Sequence, residues 1–303
     1  MGVRLYAFGR ACLSRAIGLG GVTGMAVRTI VLCADDYAMN EGVSRGILAL
    51  AQMGRISATS AMTNAPGWPE LAKRLDPLAG RIGTGLHLTL TWGGPLGAMP
   101  QLAPGGRLPG LRAVVEGSLS GRLPLGEVAD EIGRQLDAFR QATGREPDFV
   151  DGHQHVHALP GIRQAVLGVL AARGLAGRLW LRDPADRPSA IIRRRVAAPK
   201  ALLVAALSRG FGAQAGMAGF RTNRGFSGFS PFDPARDLHR DFAACLVAAG
   251  PAHLVMCHPG EIGAAEGLDE VVEARRRELD YLRSPAFGRL LAERRIELVP
   301  APA

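Results

Sequence analysis

Arg28-Thr-Ile-Val-Leu-Cys-Ala-Asp-Asp36 is the stretch from which the fold class follows. Its β-branched, apolar run shows no polar alternation. It therefore reads as a strand buried on both faces, as strands of parallel sheets are. It stops at two carboxylates, Asp35 and Asp36. Asn40 to Met53 follows, with Val43, Ile47, Leu48 and Leu50 at helical spacing and Gly54 as a stop. The alternation continues down the chain. Ile56 to Thr63 and Ile82 to Leu90 read as strands, and Pro69 to Leu78 as a short helix. Residues 93–110, rich in glycine and proline, read as a long loop. Gly126 to Thr143 is an amphipathic helix with Val128, Ile132, Leu136 and Phe139 on one face. Phe149-Val150 opens another strand, then come a helix over Ile162 to Ala172 and a strand over Gly177 to Leu181. His253 to Cys257, Leu268 to Leu282 and Ile296 to Val299 read as strand, charged helix and last strand. Strands alternating with helices predict parallel strands joined by right-handed crossovers, an α/β fold.

Polar residues recur where these strands end: Asp35-Asp36, His87, His153, Arg182 and His258. Active sites of α/β barrels and open α/β sheets gather at the carboxyl ends of strands. The segment Asp151-Gly-His-Gln-His-Val-His157 holds three of the chain's seven histidines at alternate positions. In an extended strand His153, His155 and His157 would share one face and enter one pocket. Neutral imidazole suits zinc and similar ions. The plain alternative is a polar strand end with surface histidines.

The same double reading holds elsewhere. Adjacent ionised carboxylates such as Asp35-Asp36 call for a cation, although turns and helix caps also use them. A lone histidine, such as His87 in Gly85-Leu-His-Leu-Thr-Leu90, more often packs in a core. Taken together the set is more specific. Asp36, His87 and His153 would give three protein ligands and an open position for water, the layout of a catalytic site. Asp35 is then the expected base, and His258 the acid for a departing amine. Arg182 would orient a carboxylate, bind substrate or form an ordinary salt bridge. The expected reaction is hydrolysis of an amide or ester with one divalent metal ion. Two imidazoles favour zinc; oxygen ligands and water tolerate magnesium. A metallohydrolase of another type, such as a phosphoesterase, and a catalytically silent sugar- or lipid-binding protein are the competing readings.

Composition sets the outer bounds. At 303 residues and 47% hydrophobic content the chain can build one large α/β domain or two smaller ones, and is not a disordered chain. Cys12, Cys33, Cys245 and Cys257 are scattered and form no CxxC pair, so a disulfide framework is not expected. The net charge of +9 fits an anionic surface, an acidic substrate or simple arginine-rich usage. No helix-turn-helix, zinc-finger or aromatic RNA-binding motif is visible, so no nucleic acid partner is expected. No run of ~18 apolar residues predicts a transmembrane helix. Residues 1–27 are basic and lack a continuous apolar centre or cleavage site. They are expected to be an arm outside the fold, disordered or upstream of a true start at Met25. The expected location is the cytoplasm, or the periphery of the inner membrane.

Five ordered blocks carry a family resemblance: Ala34-Asp-Asp-Tyr37 with Asn40, Gly54-Arg-Ile-Ser-Ala-Thr-Ser60, Gly85 to Leu90, Asp151 to His157, and Met256-Cys-His-Pro259. From about residue 28 to residue 299 the chain resembles the YdjC-like carbohydrate deacetylases, which include chitooligosaccharide and hopanoid-pathway deacetylases. The resemblance implies a single-domain distorted (β/α) barrel over residues 28–303, with its site at the carboxyl ends of the strands. It also implies a divalent metal and removal of N-acetyl groups from amino sugars. Carried over by motif, Asp36, His87 and His153 match the metal ligands and Asp35 the base, with Arg182 orienting Asp35. Asn223 to Ser227 resembles a substrate-side loop, which makes Asn223 and Phe226, with His155 and His157, the expected substrate contacts.

Two departures stand out. Tyr37-Ala38 replaces the usual Phe-Gly beside the metal. Residues 186–220 read as a basic helical insertion that includes Ile191-Ile-Arg-Arg-Arg-Val196 and Lys200 to Leu207. Such a helix fits a membrane interface through residues 190–215 and a lipid-linked sugar substrate. A lid or a contact between copies in a homo-oligomer fits it as well.

Overall fold

The computed structural model describes residues 27–262 and 271–303. The expected N-terminal arm lies outside them, apart from exposed Val27. In chain order the elements are β1 (Arg28–Tyr37), α1 (Glu41–Gln52), β2 (Ala58–Ala61), α2 (Trp68–Lys73), β3 (Gly83–Leu88), α3 (Leu111–Leu119), α4 (Leu125–Thr143), β4 (Phe149–Gly152) and α5 (Ile162–Ala172). There follow β5 (Trp180–Leu181), α6 (Pro188–Arg194), α7 (Ala198–Leu207), α8 (Phe211–Met217), β6 (Arg221–Thr222), β7 (Phe226–Ser227), α9 (Leu238–Cys245), β8 (His253–Cys257), α10 (Val272–Arg283), α11 (Pro285–Glu293) and β9 (Ile296–Leu298). Asn40 caps α1 by accepting from Val43 N at 2.8 Å. Gly144, left-handed at φ 70°, ends α4.

Two expectations change in detail. The helix over Pro69 to Leu78 is α2 followed by a separate 3-10 turn at Asp76–Leu78. The basic insertion is three short helices, α6 to α8, rather than one.

Every strand pairing is parallel, in the order β6-β5-β4-β3-β2-β1-β8-β7, with β9 beside the start of β1. β6 and β7 lie at opposite edges of this path, yet only Asn223, Arg224 and Gly225 separate them in sequence. Four residues' reach is at most ~14 Å. The two edges must therefore meet, and the sheet curls into a barrel with an unpaired seam. The side chain of Asn223 crosses that seam. Its Oδ1 accepts from Asp183 N at 2.8 Å, and its Nδ2 donates to Asp183 O and Gly225 O at 2.8 and 3.0 Å.

Alternation along the strands splits the core in two. Ile30, Leu32 and Ala34 face the helices, in one large cluster with Leu86, Val150 and Val255. Val31 and Cys33 face the barrel interior with Ala58, Phe149, Trp180, Leu254 and Met256. Phe149 and Trp180 stack there at 4.2 Å between ring centres. A Cβ on Gly85 would lie 2.4 Å from the Phe149 ring, so this position of β3 has no room for a side chain.

Candidate metal centre and active site

The inward-facing residues on each strand are apolar at the bottom and polar at the top. Two residues beyond Cys33 is Asp35, beyond Ala58 is Ser60, beyond Phe149 is Asp151, beyond Trp180 is Arg182, and beyond Met256 is His258. This period of two delivers a polar layer to the carboxyl end of the barrel. Asp36 should face the other way. A register shift between Ala34 and Tyr37, with Asp36 in the left-handed region at φ 69°, breaks the alternation. Both carboxylates thereby reach the same mouth. A non-glycine residue in this conformation costs energy, and such positions gather at functional sites.

One ligand atom each from Asp36, His87 and His153 lie within 4.8 Å of one another. Asp36 Oδ1 is 3.1 Å from His87 Nε2 and 3.0 Å from His153 Nδ1. Asp36 Oδ2 accepts from Arg275 Nη2 at 2.7 Å. His87 Nδ1 lies 2.7 Å from Asp151 Oδ1 and 3.0 Å from Ser60 Oγ. Asp151 thus keeps a proton on Nδ1 and turns Nε2 toward Asp36, the usual support of a histidine that binds metal. His87 Nε2 is buried and has no well-aligned hydrogen-bond partner. A buried nitrogen left over beside a carboxylate and a second imidazole fits a divalent ion.

Burial pushes the Asp36 carboxyl up, but Arg275 and the two histidines outweigh it and hold it well below the usual carboxylate range. Burial alone would lower His87. Asp151 and Asp36 instead raise it to about 10.

Beside this centre Arg182, fully buried, donates to Asp35 at 2.5 and 2.6 Å, and its Nη2 forms an ion pair with Asp151 Oδ2 at 2.5 Å. Cys33, Asp35 and Asp151 also lie within ligand distance of one another. There the guanidinium already supplies the cation, and burial pushes the Cys33 thiol well above its ordinary pKa.

The histidine segment departs from its expected form. β4 ends at Gly152, and His153–Ala158 is a 3-10 turn in which Gln154 and His155 are left-handed. The three imidazoles therefore diverge. His153 meets Asp36. His155 sits edge-on to Phe226 and Phe229, with ring centres 5.5 and 5.4 Å away. His157 is buried, with Nε2 2.7 Å from the Arg182 carbonyl, and burial lowers it to about 4. His155 and Phe226 lie beside the mouth, whereas His157, through Nε2, and Asn223, through its whole amide, are tied to backbone in the wall.

His258 follows β8. Its backbone N–H donates to Glu278 at 2.7 Å, and its ring lies 5.4 Å from Phe232. Burial lowers His258 to about 4, and it raises Glu278 to about 7. Sequence reasoning missed Arg275 and Glu278. Both lie on the α10 stripe shared with Leu279 and Leu282, all four buried. Two charges in the apolar stripe of a helix are the signal that was available.

Residues 29–293 match the family described as YdjC-like protein. The chain is 31% identical to a chitooligosaccharide deacetylase of Serratia marcescens over 268 residues, covering 88% of this chain and 95% of that protein. It is 30% identical to a carbohydrate deacetylase of Mus musculus over 303 residues, covering 89% and 92%. Among solved structures, a proposed cellobiose-phosphate cleavage protein of Enterococcus faecalis V583 shares the fold at a TM-score of 0.65. Identity is 22%, over 90% of this chain and 97% of that one. With the match spanning nearly the whole barrel, the chain belongs to the YdjC-like protein family.

Proposed function

We propose that this protein is a metal-dependent carbohydrate deacetylase that hydrolyses the N-acetyl group of an amino sugar, free or lipid-linked. The observation that carries the reading is the convergence of Asp36, His87 and His153 beside an Arg182-held Asp35. The names of the relatives, deacetylases of chitooligosaccharide and carbohydrate, supply the substrate class.

Asp36, His87 and His153 would hold the divalent ion, zinc or magnesium. When bound, such an ion polarises the amide carbonyl and makes water more acidic. Asp35 is the proton acceptor for that water, and Arg182 fixes its orientation with two hydrogen bonds. His258 faces the leaving amine. With a pKa of about 4 it enters the cycle neutral. The proton it gives the nitrogen would therefore be the one Asp35 takes from water, passed on to His258 before the amine leaves. Water's proton leaves to Asp35, and the amine departs with one, so the hydrolysis balances. His155, with Phe226 and Phe229, would form the apolar flank against which the sugar or its acetyl methyl packs.

The test is acetate release from N-acetylglucosamine oligomers, with bound metal measured separately. Asp35→Asn should keep the metal and lose roughly 100-fold or more in rate. His153→Ala should lose both. Metal-loaded wild type that frees phosphate from phosphate esters, and no acetate from any acetylated sugar, would replace this reading with a phosphoesterase.

A further inference from the structure

The region α6 to α8 has a composition that the barrel does not need. Between Arg187 and Phe232 the chain carries seven arginines, one lysine and no acidic residue. Arg194 is used internally, pairing with Asp186 at 2.7 Å and donating to Phe226 O. Arg193, Arg195, Arg209 and Arg221 are exposed, and none has an acidic partner among the described residues. Among them stand bare apolar side chains: Ile192 on α6 is 58% exposed, Leu203 on α7 60% and Met217 on α8 81%. α7 buries only Ala201 and turns Pro199, Leu203 and Ala206 outward, at i, i+4 and i+7 on one stripe.

The α7 part of this surface adjoins the mouth. Ala201 packs in the inner cluster with Phe226 and Phe229, the rings that meet His155. Lys200 Nζ stands 4.8 Å over the Phe232 ring, which in turn faces His258.

We propose that α6 to α8 dock the protein on an anionic bilayer surface. Arginine guanidinium groups pair with headgroup phosphates, and Ile192, Leu203 and Met217 enter the boundary between headgroups and acyl chains. A second copy of this chain fits less well. A two-fold contact would press the arginine-rich surface against itself, and cores of protein interfaces are poor in charge. Docking brings the flank of the active-site mouth to the headgroup layer. It stands apart from the deacetylase reading, because binding to lipid needs no turnover.

The experiment is co-sedimentation of the full-length protein with vesicles of phosphatidylcholine, alone or with phosphatidylglycerol. Binding is expected only with phosphatidylglycerol, and should weaken as salt rises. Arg193→Gln and Arg195→Gln should each weaken it roughly fivefold. Ile192→Glu with Leu203→Glu should abolish it, while acetate release from a soluble sugar and the urea midpoint stay unchanged. No binding to phosphatidylglycerol vesicles at low salt overturns the proposal, as does equal binding by all variants. A dimer that the double glutamate variant splits, without lipid binding, assigns the surface to a second copy instead.

Discussion

Arg275 donates to Oδ2 of Asp36 at 2.7 Å and so decides which oxygen Asp36 can offer. Only Oδ1 is left facing His87 and His153. Arg275→Gln releases Asp36 to rotate or to bind with both oxygens. Partners of metal ligands typically contribute 10- to 100-fold in affinity. A loss of about that size is expected in a competition titration against a chelating dye. Unchanged affinity would remove Arg275 from the centre.

Metal binding should release a proton. In the metal-free protein His87 has a pKa of about 10, above its ordinary value, so it is protonated at neutral pH. The ion needs the lone pair on Nε2, so the proton must leave. Calorimetric binding enthalpies should therefore differ between buffers of different ionisation enthalpy, by about one proton per ion. Equal enthalpies in all buffers would count against it. The same raised pKa stabilises the metal-free fold fully below the unfolded value near 6.5. That stability is lost as pH rises through about 10.

Arg182→Leu should be costly. It leaves Asp35 and Asp151 buried without their shared cation. Removing one partner of a buried ion pair typically costs about 3–5 kcal/mol. Urea unfolding should show a loss of this order, and a loss below about 1 kcal/mol would contradict the arrangement.

Acid should unfold the protein early. Burial lowers His157 and His258 to about 4 and His253 to about 3, so all three are neutral in the fold. The unfolded chain takes up their protons near 6.5 while the folded one does not. Stability is therefore present above about 6.5 and falls as pH drops toward 4. His87 adds nothing in this window, being protonated in both states. Urea midpoints of the metal-free protein should fall steadily across it, and a flat profile would refute the account.

Asn223→Ala should act on the barrel and not on the substrate. Three backbone groups, Asp183 N, Asp183 O and Gly225 O, lose their partner. A cost of about 1–3 kcal/mol is expected in urea unfolding. The KM for an acetylated sugar should stay as in wild type; a large rise would return Asn223 to the substrate.

Much of the fold was legible because burial on both faces writes long apolar runs, as in β1. Helices α1, α4 and α5 were legible from their spacing. The two-residue strands β6 and β7 were not, because so short a segment has no period to read. Asp35, Arg182 and His258 could be read in the sequence, since each directly follows an apolar run; Ser60 and Asp151, which hold His87, were not picked out. The geometry of the polar layer could not be read. The left-handed turns at Asp36, Gln154 and His155 arise from tertiary packing, and they decide where the histidines of the cluster point. Arg275 lies more than 200 residues from Asp36, and only folding brings them together.

The polar layer is close to neutral before any ion arrives. Asp35, Asp36 and Asp151 are matched by Arg182, Arg275 and protonated His87. A divalent ion then trades places with a proton instead of rescuing the fold. Chelation should silence such a protein without unravelling it, and resupply should restore it at once. Its output would track the supply of metal around it, as a gauge rather than a scaffold.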